Sequence, residues 1–136
     1  MLLDSSAMVA LVLAEQPARS MFAALVEAPA RAIGAPTLVE TAMVLDGRRA
    51  PSAPEASSGL ALLLARFEIV VLPFGQEHWP AAWAAFLRYG KGRHPAGLNF
   101  GDCLTYAVAK LSGLPLLCVG RDFAQTDLEL VPLPDV

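Results

Sequence analysis

Four acidic residues stand at places in the chain where carboxylates can do chemistry together: Asp4, Glu40, Asp102 and Asp122. Asp4 closes the opening apolar run Met1-Leu2-Leu3, and Asp122 follows the apolar run Leu114 to Val119 by three residues. Glu40 and Asp102 are expected in the first turns of two helices. In an open α/β sheet, strand ends and helix starts gather at one edge, where ligands bind. Carboxylates brought together there repel one another unless something positive sits among them. An all-oxygen cluster with a watery centre suits Mg²⁺ or Mn²⁺, which keep several of their own waters. Each acid alone has a simpler reading. Thr37-x-x-Glu40 reads as a capping box, and Asn99-x-x-Asp102 is close to one. Asp122 with Gln125 fits the same pattern, and Asp4 fits an N-cap of the first helix. The four taken together, in a chain with only 17% charged residues, point to a shared site.

The elements that must position these acids are legible from patterning. Met1 to Leu3 reads as a very short buried strand, and Ser5 or Ser6 opens an apolar helix through Leu13. Pro17 can start a second helix carrying Met21, Phe22, Leu25 and Val26 at helical spacing. Arg31 to Gly34 is a weak strand. A helix with Leu38, Val39, Ala42, Met43 and Leu45 follows Pro36-Thr37 and ends near Gly47. Arg48 to Ser58, with two prolines and three serines, reads as a loop. A helix over Gly59 to Phe67 leads to a strand over Glu68 to Leu72. Trp79 to Tyr89 is helical, with Pro80 tolerable only in the first turn. GKGRHPAGL (Gly90 to Leu98) is a loop, and Phe100 to Leu111 is a helix stopped by Gly113. Leu114 to Val119 is an apolar strand, Gly120 to Asp127 a turn, and Leu130 to Leu133 a late edge strand, because Pro132 donates no hydrogen bond. Strands alternate with helices, and the best strands are continuous apolar runs. That pattern predicts an α/β fold with a central, mainly parallel β-sheet flanked by helices on both faces.

Length and composition narrow the classes. The 136 residues fit one domain, 1–136, with a real core. A hydrophobic fraction of 55% and a mean hydropathy of +0.49 exclude global disorder. They also leave apolar residues over for a partner, with Met8, Leu11, Val12, Phe22, Leu25 and the Met43–Leu45 turn as the expected surface. A net charge of −3 argues against nucleic-acid binding by bulk charge alone. Cys103 and Cys118 have no metal-type spacing and fit a reducing compartment. No basic n-region opens the chain and no apolar run approaches the ~20 residues of a membrane span, so a cytoplasmic location is expected.

Four segments resemble the PIN-domain ribonuclease toxins of the VapC type, over essentially the whole chain. They are Leu3-Asp4-Ser5-Ser6-Ala7, Thr37-Leu38-Val39-Glu40, the long block RYGKGRHPAGLNFGDCLTYAVAK (Arg88 to Lys110), and Gly120 to Asp127, GRDFAQTD. The long block is the most specific. The resemblance implies a PIN-like fold and a Mg²⁺- or Mn²⁺-dependent endoribonuclease, and its acidic positions fall on Asp4, Glu40, Asp102 and Asp122. It further implies a homodimer and a VapB-type antitoxin lying across the helices beside the site. An arginine of such a segment could occupy the acidic pocket and displace metal. This sequence departs from the pattern at Arg121, a cation before Asp122 where a small polar or acidic residue is expected, and at Pro80.

On this reading Asp4 and Asp102 are the principal metal ligands, while Glu40 and Asp122 position a water and take its proton. Ser6 either bonds a carboxylate or phosphate or caps its helix. Thr126 either orients Asp122 from across the turn or is a turn-forming hydroxyl, and Asp127, a fifth acid close to the site, is read as structural or as supporting the ligands rather than as a ligand itself. Arg48, Arg49, Arg88, Lys91, Arg93 and His94 are candidates for touching an RNA backbone or else a solvated rim. Trp79, Trp83, Phe86 and Tyr89 recur at helical spacing and are assigned to core or dimer packing. A haloacid-dehalogenase-type phosphatase would need an acid where Ser6 stands. A receiver domain would need adjacent early acids and a strand-end lysine, and no G-x-S-x-G turn supports a serine hydrolase. A DNA-directed nuclease of the same fold and a non-catalytic PIN-like binding module remain as rivals.

Overall fold

The computed structural model describes residues 1–48 and 56–134. Its four short strands, β1 (Leu2–Leu3), β2 (Ala32–Gly34), β3 (Val70–Leu72) and β4 (Leu116–Leu117), form one parallel sheet in the order β3-β2-β1-β4. Helices α1 (Ser5–Leu13) and α2 (Ala18–Glu27) link β1 to β2. Helices α3 (Ala35–Gly47) and α4 (Ala56–Arg66) link β2 to β3, and α5 (His78–Tyr89) with α6 (Phe100–Ser112) links β3 to β4.

Strand alternation divides the core in two. Leu3, Ile33 and Leu117 share a register row and join a cluster with Met8, Leu11, Met21, Leu25, Leu45, Leu60 and Leu63. Leu2, Ala32 and Leu116 form the neighbouring row and pack with Ala82, Ala85, Tyr89, Tyr106 and Val108 of α5 and α6. The first three strands therefore step outward with their helices on one face. The α5–α6 crossover then returns on the other face and places β4 on the far side of β1. The reversal puts a topological switch point between β1 and β4, at their carboxyl ends.

Several expectations need correction. Met8, Leu11 and Leu25 are core residues rather than partner surface, while Val12 and Phe22 pack partly buried against them. Of that set only Met43 and Val44 are open, Met43 at 70% exposed, while Leu45 of the same turn is buried in the core. Trp79 and Trp83 are exposed rather than core, whereas Tyr89 is buried. Pro36 sits at the start of α3, whose N-cap is Gly34, so the helix begins before Thr37 and no capping box forms with Glu40. Glu40 consequently lies in the second turn. Strand β4 is two residues long because only Leu116 and Leu117 find partners on β1. Residues 130–133 contribute a single parallel bridge, Leu130 to Leu116, rather than a strand. Strand β3 begins at Val70, after Glu68 in the left-handed region (φ 49°), and Val70 and Val71 are exposed at the sheet edge. Helix α4 starts at Ala56 rather than Gly59; most of the expected loop, with Arg49, lies outside the described residues. Among the described residues no single helix is long and apolar enough to cross a membrane.

Candidate active site

Asp4 leaves β1 at the switch point, where its N–H bonds Leu117 O at 3.0 Å. It caps α1 as expected and is only 4% exposed. Three donors hold its carboxylate. Ser6 N–H (3.1 Å) and Ser6 Oγ–H (2.6 Å) reach Oδ2, and Thr105 Oγ1–H (3.1 Å) reaches Oδ1. Ser6 Oγ in turn accepts from Val119 N–H at 3.0 Å, tying the start of α1 to the exit of β4. All of these donors are neutral, so they fix the carboxylate without cancelling its charge.

Asp102 stands at the third position of α6. Asn99 and Asp102 form a full capping box: Asp102 N–H donates to Asn99 Oδ1 at 2.9 Å, and Asn99 N–H donates to Asp102 Oδ2 at 3.1 Å. The capping reading therefore holds for this residue. Its carboxyl is pushed up to about 6, first by burial and then by the negative charges of Asp4, Asp122 and Glu40, against the lowering effect of the Asn99 N–H. All four predicted acids therefore share one field. Glu40 reaches it from α3, its carboxylate lying against Gly101 where a Cβ would overlap it. Asp122 opens the short 3-10 turn Phe123–Gln125 and makes no side-chain cap bond, so its capping reading fails. The half-buried Cys118 thiol is raised to about 12 by burial and by Asp4, Asp102 and Asp122. Burial and Asp102 also raise the thiol of buried Cys103.

The neighbouring polar residues take structural roles. Thr126 Oγ1 donates to Phe123 O at 2.7 Å and accepts from Leu128 N–H, as a turn hydroxyl should. Asp127 accepts from Tyr106 Oη at 2.6 Å and Lys110 Nζ at 2.8 Å, with Arg88 at 3.8 Å, which anchors the Asp122 turn to α6. Its carboxyl is lowered by the Lys110 and Tyr106 hydrogen bonds. Arg48 is paired with Glu15. Arg93 of the Gly90–Leu98 loop lies over Phe86, and Arg88 in the last turn of α5 lies over Tyr89, so both cations are steadied by aromatic rings. His78 is buried and His94 stands edge-on to Tyr89; they form no pair. Spacing could not reveal Thr105, which meets Asp4 101 positions away in sequence.

The donor set fits a hard divalent cation: it is all oxygen and mutually repelling. Among the described residues no three His, Cys, Asp or Glu converge closely enough to enclose an ion directly.

The fold is thus a parallel α/β sheet with Asp4 at its switch point and Asp102 within the electrostatic reach of Asp4, Asp122 and Glu40. A PIN domain model matches residues 1–129. The chain is 49% identical over 130 residues to Ribonuclease VapC36 of Mycobacterium tuberculosis, covering 95% of this chain and 91% of that one. It is 43% identical over 136 residues to Ribonuclease VapC30 of the same organism, covering 98% and 100%. Among solved structures, the sarcin-ricin loop cleaving toxin VapC20 of M. tuberculosis superposes with a TM-score of 0.75 at 20% identity, over 96% of this chain and 97% of that one. A toxin–antitoxin complex from Klebsiella pneumoniae gives 0.68 at 22% identity, over 96% of each chain. The chain belongs to the PIN-domain family, as a ribonuclease toxin of the VapC type.

Proposed function

We propose that the chain, as one domain over residues 1–136, is a Mg²⁺- or Mn²⁺-dependent endoribonuclease that uses Asp4, Glu40, Asp102 and Asp122 as its site. The observation that carries this reading is that Asp102 lies in the field of Asp4, Asp122 and Glu40, whose charges add to burial in raising its carboxyl to about 6. When bound, the cation supplies charge neutralisation for the phosphodiester and its transition state. Asp4 and Asp102 hold it, Asp4 through a carboxylate fixed by three hydrogen bonds and Asp102 through a carboxylate that Asn99 N–H orients. Glu40 and Asp122 orient the attacking water and accept its proton, since neither carboxylate is tied to another group by a hydrogen bond among the described residues. Lys91 and Arg93 lie on the approach to α6 and contact the RNA backbone. A cytoplasmic location agrees with two free thiols.

Two apolar grooves border the site. One, of about 610 Å³, is lined by Val39, Glu40, Met43, Phe100 and Gly101. The other, of about 450 Å³, is lined by Trp79, Trp83, Phe86, Lys91 and Phe100. Phe100, 81% exposed, separates them. These grooves suit a VapB-type antitoxin segment that is apolar along its length and carries an arginine into the acid cluster. The exposed Val70, Val71 and Leu87 leave further apolar surface for a homodimer.

The test is cleavage of matched RNA and DNA oligonucleotides with Mg²⁺, Mn²⁺ or EDTA. RNA cleavage that EDTA abolishes is expected. Undiminished cleavage in EDTA overturns the metal mechanism. Preferential DNA cleavage overturns the substrate, and no cleavage of either favours a binding module.

A further inference from the structure

We propose that Thr105 and Thr37 are positioning residues that set the direction in which Asp4 Oδ1 faces a bound divalent cation. The proposal rests on the reading of Asp4 as a cation ligand. A carboxylate offers about four lone-pair positions. Two on Oδ2 are filled by Ser6 N–H and Ser6 Oγ–H, and one on Oδ1 is filled by Thr105. The open position is thus on Oδ1, the oxygen that Thr105 holds. Asp4 presents one oxygen to a cation, and the hydroxyl beside it decides where that lone pair points.

The direction of the chain follows from proton count. A threonine hydroxyl has one proton. Thr105 spends its proton on Asp4, so in the Thr37–Thr105 contact (3.0 Å) Thr37 is the donor. The two hydroxyls form a directed relay, Thr37 to Thr105 to Asp4, and each link polarises the next. Thr37 is 3% exposed and Thr105 1%, so no solvent substitutes for either bond. The relay also joins the two helices that carry other acids. Thr105 lies one turn after Asp102 on α6, and Thr37 one turn before Glu40 on α3. The helices approach closely here, since a Cβ on Gly34 would lie 3.2 Å from Val108 Cγ2 and 3.6 Å from Thr37 Oγ1. A valine has the same shape as threonine, so packing alone does not call for two facing hydroxyls.

The test is calorimetric titration of Mn²⁺ into the metal-stripped protein and its variants, with thermal melting on the same samples. Thr105→Val should weaken Mn²⁺ binding about tenfold to a hundredfold, the usual effect of removing a partner of a metal ligand. Thr105→Ser should restore it, and Thr37→Val should weaken it by a smaller factor. Val108→Ala on the same helix should lower the melting temperature and leave Mn²⁺ affinity unchanged. Asp4→Asn should abolish binding. If Asp4→Asn abolishes binding while Thr105→Val stays within about twofold of wild type, against the tenfold expected, the relay is overturned and the Asp4 reading stands. If Asp4→Asn binds Mn²⁺ like wild type, the Asp4 reading itself is overturned. Should Thr105→Val not fold, Thr105→Ala leaves the same oxygen unheld and is judged by the same criterion.

Discussion

Asp4 and Asp122 leave adjacent parts of the same sheet edge, yet they are held in opposite ways. Asp4 is 4% exposed and takes three hydrogen bonds from two residues. Asp122 is exposed and has no side-chain cap bond. A buried carboxylate needs such donors in place of the water it has lost, whereas an exposed one is solvated directly. The site thus joins a fixed half, where burial demands donors, to an adaptable half that can follow a substrate. Asp102 stands between them, with one oxygen pinned by Asn99 and its charge opposed by three neighbours.

The largest effect expected from breaking this contrast is on the fixed half. Asp4→Asn removes the charge and turns an NH₂ toward donors, so RNA cleavage should fall by roughly a thousandfold, the several kcal/mol that metal-held charge contributes. Stability should fall by about 1–3 kcal/mol from the mismatched buried groups, read by denaturant melts. Asp122→Asn should lose less activity, on the order of tenfold to a hundredfold, since proton acceptance is shared with Glu40. Its stability should stay within about 0.5 kcal/mol of wild type. A large loss of stability at Asp122 would erase the distinction between the halves.

Acidity sharpens the same contrast. The Asp102 carboxyl has a folded value of about 6, above the ordinary 3.8. Its protonation favours the folded state below about 3.8, and that contribution is lost as pH rises through about 6. The metal-free protein should lose this contribution over that window, and Mn²⁺ affinity should fall as pH drops below about 6. Asp127 is lowered and works the other way. Its contribution is present above the ordinary 3.8 and is lost only as pH falls through its lower folded value. The smallest effect is expected at the anchor of the adaptable half. Asp127→Asn should cost about 1 kcal/mol or less and speed hydrogen exchange in the Phe123–Gln125 turn more than in α6. Equal exchange changes in both would show that the turn is not separately anchored.

Sequence reached what local chemistry determines. Asp4 as a cap, the Asn99–Asp102 box and the Gly113 stop are all written within a few residues of where they act. Placement that depends on distant partners was not legible. The length of β4 is decided by what β1 offers, so an apolar run from Leu114 to Val119 yields only two paired residues. Helical spacing of Trp79, Trp83, Phe86 and Tyr89 is real, but spacing does not say which face another element covers. Thr37 reads as a cap in Thr37-x-x-Glu40, yet Pro36 already lies inside the helix and Gly34 is its N-cap. Its partner Thr105 lies 68 positions away, a pairing no local pattern carries.

The central claim is that Asp102 belongs to a cation site as well as to a capping box. Asp102→Asn tests it most directly, with melting temperature and RNA cleavage measured on one preparation. Asparagine still accepts from a backbone N–H, so the helix start should survive with a loss of about 1 kcal/mol or less. Relief of repulsion from Asp4, Glu40 and Asp122 offsets that loss. The account predicts a folded protein that melts without metal at or above the metal-free parent and does not cleave RNA. A mildly destabilised mutant that still cleaves RNA would contradict it.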